Sequence, residues 1–408
     1  MTIAALESLS FGLGRTARAA TAAGHRLCLL TGDRSVYLHE LAALPADALT
    51  VVDVDTFDTE AVRRELARLP DLAGLINTTD TWSVPGADLA AEFGLPGPDP
   101  GAVRVLRDKA AVRAALHREG LGSNAFVRVE PHPESVAEVH RTVGLPAVLK
   151  HVSGTSSRDV WIVHDKEALH AALTEAGLRG GLDGRLFAEP FLAGPLYSAE
   201  TLTWQGETRL LGVFGRQTSR APAVREEAAA FPVALPPGES AAVARWVGRV
   251  LSAAGHDGGF AHVEFILTAQ GPQLVEINRR IGGALVGEAL CHVLRTDVYG
   301  ALIDVTLGRR PALLDAALPA GGRAVGLVLV YADRPGVLAG WHGLDGLDSF
   351  PGNVRWYPTR EPGSEVAHVG DQRGCTGMVW AEAATAELAQ HRAWSAATTV
   401  RPVMRDAS

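Results

Sequence analysis

Apolar and polar positions along the chain change their period several times, and each change marks an element. Residues 2–30 run as TIAALE, a glycine turn SFGLGRT, a small-residue stretch ARAATAAGH and the apolar RLCLL, which predicts strand, turn, helix and strand in one βαβ unit. LTVVDVDTF and DLAGLINTT predict two further strands. The polar end of the second, Asn77 to Asp80, falls at the carboxyl edge where open α/β sheets bind ligands. Gly94-Leu-Pro-Gly-Pro-Asp-Pro-Gly101 is dense in turn formers and predicts a linker. After it, DKAAVRAALHREG has helical spacing and stops at Gly120, and the short runs FVRV, AVLK, WIVH and LFAEPF predict strands as far as 192. Long strands are expected at 199–215 and 260–280, framing a helix at 239–254. From 311, proline and glycine punctuation, the run RAVGLVLVYA and a last helix near 381–391 predict a separate C-terminal unit.

Residues 261–283, AHVEFILTAQGPQLVEINRRIGG, carry the densest chemistry. Two runs rich in Val, Ile, Leu and Phe flank Thr268-Ala-Gln-Gly-Pro272, which predicts a hairpin turning at Gln270. That register sets Glu264 opposite Glu276 and His262 opposite Asn278. Val263, Phe265, Val275 and Ile277 then line an apolar face, while His262, Glu264, Glu276, Asn278 and Arg280 crowd the other. Carboxylates directly across two strands repel each other by some tenths to about 1 kcal/mol when solvated, so something must offset them. Oxygen ligands from two Glu and one Asn suit a hard cation such as Mg²⁺ whose shell phosphates complete. Neutralisation by Arg280, or a Glu264 pointing to solvent, is the plainer alternative. A zinc site through His262 lacks a second His or Cys at ligand spacing.

In GLPAVLKHVSGTSSRDVWIV, residues 144–163, Lys150 ends a buried strand, and the loop of Ser153, Gly154, Thr155, Ser156 and Ser157 offers hydroxyls and backbone N–H groups before the next strand. A point positive charge beside a loop of donors suits a polyphosphate; a plain hairpin turn with a surface lysine is the alternative. The loop is no Walker motif, and strand rather than helix follows it. Gly12-x-Gly14-x-x-Ala17, with Asp33 downstream, fits a relaxed dinucleotide fingerprint or a glycine turn that only lets a helix pack on a strand. The loop 216–231 carries Arg216, Arg220, Arg225, Glu226 and Glu227, charges of both signs that suit a substrate's carboxylate and ammonium or simply face water.

Composition narrows the class. With 47% apolar and 21% charged residues over 408 positions, usage is that of a folded globular protein of two to four domains. No run approaches about 18 consecutive apolar residues, and the first basic residue, Arg15, follows Glu7, unlike a secretory signal. A cytoplasmic protein without a membrane span is expected. Cys28, Cys291 and Cys375 are odd in number, far apart and without metal spacing, which predicts buried small side chains. The net charge of −8 is dispersed, with no basic stripe for nucleic acid. Lys109, Lys150 and Lys166 are the only lysines among 38 basic residues. A lysine kept in so arginine-rich a chain marks a place for a compact ammonium.

The order of these parts, from 106 to 290, resembles the ATP-grasp superfamily. The resemblance implies an α/β fold in three domains: a doubly wound N-terminal α/β domain at 1–105, a central ATP-grasp domain at 106–310 with a mobile lid at 122–192, and a small C-terminal α+β domain at 311–408. It implies that Lys109, at a helix start, and Lys150 hold phosphates under the loop Ser153 to Ser157. Adenine would be held by Ala188, Glu189, Pro190, Phe191 and Leu192. Metal would be held by Glu264, Glu276 and Asn278, with Arg280 and Lys150 catalytic. Leu196 stands where a ribose-binding Glu is common, and Glu200 is the candidate replacement. ATP and two Mg²⁺ ions, replaceable by Mn²⁺, are the implied cofactors.

The loop at 216–231 and the end motif look most like those of L-amino-acid (dipeptide) ligases. The expectation is an ATP-dependent carboxylate–amine ligase that forms an amide through an acyl phosphate, with an amino acid as one substrate and release of ADP and phosphate. Arg216, Arg225, Glu226, Arg280 and Gly283 are the expected substrate contacts. The partners implied are a small carboxylate and an amine, with no nucleic acid or membrane, and a homodimer is the oligomeric expectation. The alternatives are a bicarbonate-using carboxylase of the biotin carboxylase or purine-pathway type, a non-catalytic nucleotide-binding protein, and an NAD-binding protein built on the first βαβ unit.

Overall fold

The computed structural model describes residues 1–122, 124–220, 224–319 and 321–406. Residues 221–223 of the loop at 216–231, Ser123 of the expected lid and residues 407–408 lie outside the described residues. β1 (Thr2–Leu6), β2 (Arg26–Thr31), β3 (Thr50–Asp53) and β4 (Leu72–Ile76) form a parallel sheet in the order β3-β2-β1-β4. Helices cover both of its faces, so β1 is buried along its whole length and reads as a continuous apolar run.

The glycine turn ahead of the helix Leu13–Ala22 is closed to a dinucleotide. Gly14 N donates to Glu40 Oε2 at 2.8 Å and Gly12 N to Glu40 Oε1 at 3.4 Å, so one of the chain's own carboxylates takes the anion position at this helix start. Gly12 has φ +96, and a Cβ there would meet the Tyr299 hydroxyl at 2.0 Å. The glycine serves close packing, which overturns the NAD alternative at this motif. Asp33 caps the turn Arg34–Tyr37 by accepting from Ser35 N.

A second sheet, in the order β5-β8-β6-β7, is built from β5 (Val127–Val129), β6 (Ala147–His151), β7 (Val160–Val163) and β8 (Leu186–Pro190). Leu149, Leu169, Leu173 and Leu186 lead a core of its own, shared with the helices Val136–Thr142 and Lys166–Arg179. Lys166 is simply the exposed first residue of the latter helix.

The central sheet has eight strands in the order β13-β12-β9-β10-β11-β14-β18-β16. Its members are β9 (Leu196–Trp204), β10 (Glu207–Thr218), β11 (Glu226–Phe231), β12 (Gly258–Thr268), β13 (Gly271–Asn278), β14 (Ala324–Tyr331), β16 (Arg355–Pro358) and β18 (Cys375–Ala383). The single strand expected at 199–215 is a hairpin: Gln205 and Gly206, at φ 50° and 81°, make a two-residue turn between Trp204 and Glu207. Nor does the sheet break at 311, because β14 pairs with β11 and carries β18 and β16 onward. Beyond 311, β15 (Gly336–His342), β17 (Glu365–Val366) and β19 (Arg401–Arg405) form a small sheet apart, and the last helix is Ala386–Ala397.

Candidate active site

Three segments meet at the polar face of β12 and β13: the hairpin itself, the helix Lys109–Arg118 and the carboxyl end of β4. Glu264 pairs with Glu276 and His262 with Asn278, the register expected, although the path to it differs. The chain turns tightly at Ala269-Gln270, pairing Thr268 with Gly271, and a bulge at Val275 restores the register. Leu274 therefore replaces Val275 beside Phe265 in the core. The carbonyls of Leu274 and Val275 accept from Arg113 Nη2 at 2.7 and 3.0 Å, and Val275 O also accepts from Lys150 Nζ at 3.4 Å.

Although Glu264 and Glu276 are register partners, their carboxylates diverge. Glu276 Oε2 lies 3.2 Å from Lys109 Nζ. Glu264 Oε1 lies 3.3 Å from His262 Nε2. His262 is buried, with Nδ1 2.6 Å from Glu200 Oε1. Burial disfavours its charge, but Glu200 and then Glu264 raise its pKa to about 9. Burial likewise opposes charge on Glu264, and His262 and Arg216 hold it well below the usual carboxylate range.

Contrary to expectation, Glu200 has no surface for a ribose: it is 2% exposed and bonded to His262 and to Ser198 Oγ at 3.0 Å. Arg216 is buried in the same network, donates to Ser198 Oγ at 3.2 Å and pairs with Glu226. Burial pushes the Glu226 carboxyl up against the pull of Arg216. Arg225 does not join them. Its guanidinium lies 4.0 Å over the Tyr331 ring and donates to Val369 O, since neighbours along an extended chain face opposite ways. Arg220 is exposed.

Asp80 closes the site from the N-terminal sheet. Arg280 Nε donates to its Oδ2 at 2.8 Å, and Arg107 Nη1 lies 3.8 Å from its Oδ1. Burial opposes its charge, yet Arg280 and then Arg107 hold the carboxyl below its ordinary value. At Gly283 a Cβ would stand 3.9 Å from Arg280 Nη1, whereas at Gly282 it would press to 2.7 Å from His262 Nδ1.

Lys109 opens its helix behind the N-cap Asp108, whose side chain accepts from Ala111 N at 2.9 Å. Lys109 Nζ donates to Gly154 O, and Arg107 Nη2 to Ser153 O, both at 2.8 Å. Ser153 N donates to His151 Nδ1 at 3.0 Å. The loop thus turns carbonyls at 153 and 154 toward the cations, where donors were expected. Thr155 is half-buried, and Ser156 and Ser157 hold left-handed φ of 58° and 59°.

Lys150 Nζ lies 2.5 Å from Glu189 Oε1, and Arg113 Nε donates to Glu189 Oε2 at 2.8 Å. One buried carboxylate thereby bridges two buried cations. Against burial, Arg113 and then Lys150 lower the Glu189 pKa to about 2, while burial pushes the Lys150 ammonium down despite Glu189. Of the segment expected to hold adenine, Pro190 ends β8, Phe191 N donates to Pro146 O at 3.0 Å, the Phe191 ring is 39% exposed and Leu192 is half-buried. Sequence reasoning missed Arg113, whose signal was its place four residues after Lys109 on one helix face. It also missed the role of Asp80, although its strand edge had been singled out.

Metal fit rests on the donor atoms. Among the described residues no trio of His, Cys, Asp and Glu surrounds one point. The Asn278 amide nitrogen, however, donates to Glu276 Oε1 at 2.8 Å and to both Asp80 oxygens at 3.2 Å, which brings three oxygen-bearing side chains to one place, a set that suits a hard cation. No thiol competes for a catalytic role: all three cysteines are buried, and burial raises Cys291 to about 11. No helix among the described residues is long and apolar enough to cross a membrane.

Residues 143–288 match the ATP-grasp domain family, and residues 328–405 match L-amino acid ligase C-terminal domain 2. Uncharacterized protein y4rH of Sinorhizobium fredii is 28% identical over 364 residues, covering 87% of this chain and 73% of that protein. Human carnosine synthase 1 is 28% identical over 265 residues, covering 60% of this chain and 32% of the synthase, so the chain spans about a third of that relative's length. The crystal structure of an L-amino acid ligase from Bacillus licheniformis has the same fold, with a TM-score of 0.82 at 19% identity and 99% of both chains covered. The chain thus carries an ATP-grasp domain and a C-terminal domain of the L-amino acid ligase type, on a fold that it shares from end to end with such a ligase.

Proposed function

We propose that the chain joins a carboxylate to an amine at the expense of ATP, with an amino acid as one substrate. A carboxylate oxygen attacks the γ-phosphorus, the bond to the bridging oxygen breaks, and ADP leaves. The amine nitrogen then attacks the acyl carbon and loses a proton as phosphate departs. Lys109 and Lys150 would hold phosphate oxygens, and Arg280 would steady charge on the transferred group. Glu264, Glu276 and Asn278 would hold two Mg²⁺ ions, for which Mn²⁺ can substitute. Bound there, Mg²⁺ supplies charge neutralisation at the phosphates. Phe191 and Leu192 at the exit of β8 would frame adenine, under the loop 153–157 and a lid at 122–192. We divide the labour as 1–105, 106–310 and 311–408, with the last segment wedded to the central sheet.

One observation carries this reading. Lys109, Glu276, Asn278, Asp80 and Arg280 form an unbroken chain of polar contacts, which supports a site with an ammonium for phosphate, oxygens for a cation and a guanidinium for the transferred group side by side. Carnosine synthase among the relatives, and the L-amino acid ligase match, favour amino-acid substrates. An ADP-release assay across amino acids, small carboxylic acids and bicarbonate, with and without amines, tests the proposal. Turnover with amino acids and a new amide by mass spectrometry support it. Turnover with bicarbonate alone would transfer the site to the carboxylases.

A further inference from the structure

A cleft of about 290 Å³ lies between the helices Leu13–Ala22 and Val286–Leu294 and the strands β16 and β18, and none of its lining residues belongs to the site above. It therefore joins the N-terminal domain, the ATP-grasp segment and the C-terminal strands. Its charges are of both signs. Arg15 engages both oxygens of Glu288 through Nε alone, at 2.6 and 2.7 Å, which leaves its terminal N–H groups without a hydrogen bond among the described residues. Arg355 donates through Nη2 to Glu382 Oε1 at 2.9 Å. Arg295 is exposed at the helix end with φ 51° and has no ion pair among the described residues. Asp297, exposed on the rim, adds a second acid to the half-buried Glu288. The floor is aromatic: Trp380 is 2% exposed, and the His292 ring stands edge-on to it at 5.7 Å.

We propose that this cleft is a second binding site, which takes a free amino acid by its carboxylate and ammonium. Three arginines against Glu288 and Asp297 give a nearly balanced lining, which suits a zwitterion better than a polyanion. The volume sits at the bottom of the roughly 300–1,000 Å³ range of small-molecule sites, too small for a nucleotide. Arg295 and the terminal N–H groups of Arg15 meet the carboxylate, and Glu288 or Asp297 meets the ammonium. The ligand is either the second substrate or a free effector; its chemistry is the same in both cases.

Calorimetric titration of the full chain with single L-amino acids tests the site directly and does not depend on the ligase reading. The variants are Arg295→Gly, which removes the guanidinium while glycine accepts the left-handed backbone, and Arg355→Gln, each checked for fold by thermal melting. At least one amino acid is expected to bind, with affinity falling ten-fold or more in one or both variants. Absence of binding, or affinity unchanged in both folded variants, overturns the proposal. Steady-state kinetics separates the sources. A raised KM for one amino acid at unchanged kcat marks the second substrate, and loss of a response to a non-reacting amino acid marks an effector. Failure of ADP release with every amino acid would sink the ligase reading and leave this binding test in force.

Discussion

Asp80 and Arg280, 200 positions apart, hold each other: Arg280 Nε donates to Asp80 Oδ2 at 2.8 Å, and both side chains are at least four-fifths buried. The N-terminal sheet thus fixes the guanidinium assigned to the transferred group. Removing one partner of a buried pair strands the other, at a cost of about 3–5 kcal/mol. Asp80→Ala should lose about that much in urea unfolding and should slow ADP release. Asp80→Asn, which keeps an acceptor oxygen, should lose less. Normal turnover in Asp80→Ala would show that Arg280 needs no such anchor.

Glu276→Gln should lower turnover by about 10²–10³, the typical loss for a preorganised electrostatic contact. The repulsion read from the sequence would make this variant more stable without metal. Geometry reverses that sign, because Glu276 faces Lys109 at 3.2 Å while Glu264 leans to His262. The pair is mostly buried, at 8% and 18% side-chain exposure, but Gln keeps an acceptor oxygen for the Lys109 ammonium, so a loss of about 1–3 kcal/mol is expected. ADP release and apo melting, measured together, decide both points; a melting temperature above wild type would restore the repulsion argument.

Arg113→Met should destabilise the β5-β8-β6-β7 sheet against the hairpin, since Glu189 keeps only Lys150, Leu274 O loses its side-chain donor and Val275 O keeps only Lys150. The expected loss is about 3–5 kcal/mol, part of which returns in the double variant Arg113→Met, Glu189→Gln. A double-mutant cycle in urea measures the coupling, and additive losses would mean that the two side chains act independently.

His256 sets a pH dependence. It is 2% exposed, its Nδ1 has no partner among the described residues, and burial followed by Arg279 lowers its pKa to about 3. A histidine held neutral binds fewer protons folded than unfolded, so its contribution is full above an unfolded pKa of about 6.5 and is lost as pH falls toward 3. The slope is about 1.4 kcal/mol per pH unit in that window. Urea unfolding at pH 7, 6 and 5 should show this component in wild type and its absence in His256→Asn. Equal slopes would clear His256 of the effect.

Much of this was legible in the chain. Period changes located the βαβ unit, the linker and the hairpin, and the Glu264 and Glu276 pairing followed from counting outward from a turn. What escaped was of two kinds. Local features inside strand-like runs left little mark: Gln205-Gly206 turns between two strands without the usual Asn-Gly signal, and Val275 looks like any strand valine. Long-range partners were equally silent, because nothing near Glu189 announces Arg113 and Lys150, nor does anything near Gly12 announce Glu40 and Tyr299. Hence an adenine-segment carboxylate proved to be a buried bridge, and a nucleotide fingerprint proved to be a packing joint.

The extra residue at Val275 makes the effect of a one-residue deletion depend on where in β13 it falls. Without Val275, Leu274 would still pair with Phe265 and Glu276 with Glu264, so the strand would run straight with its polar face intact, and Arg113 and Lys150 would lose the carbonyl that they share. Loss of Ile277 instead would set Asn278 next to Glu276 in the chain and so on the opposite face of the sheet. A lost codon there would take the cation site apart with every one of its polar residues still written in the gene.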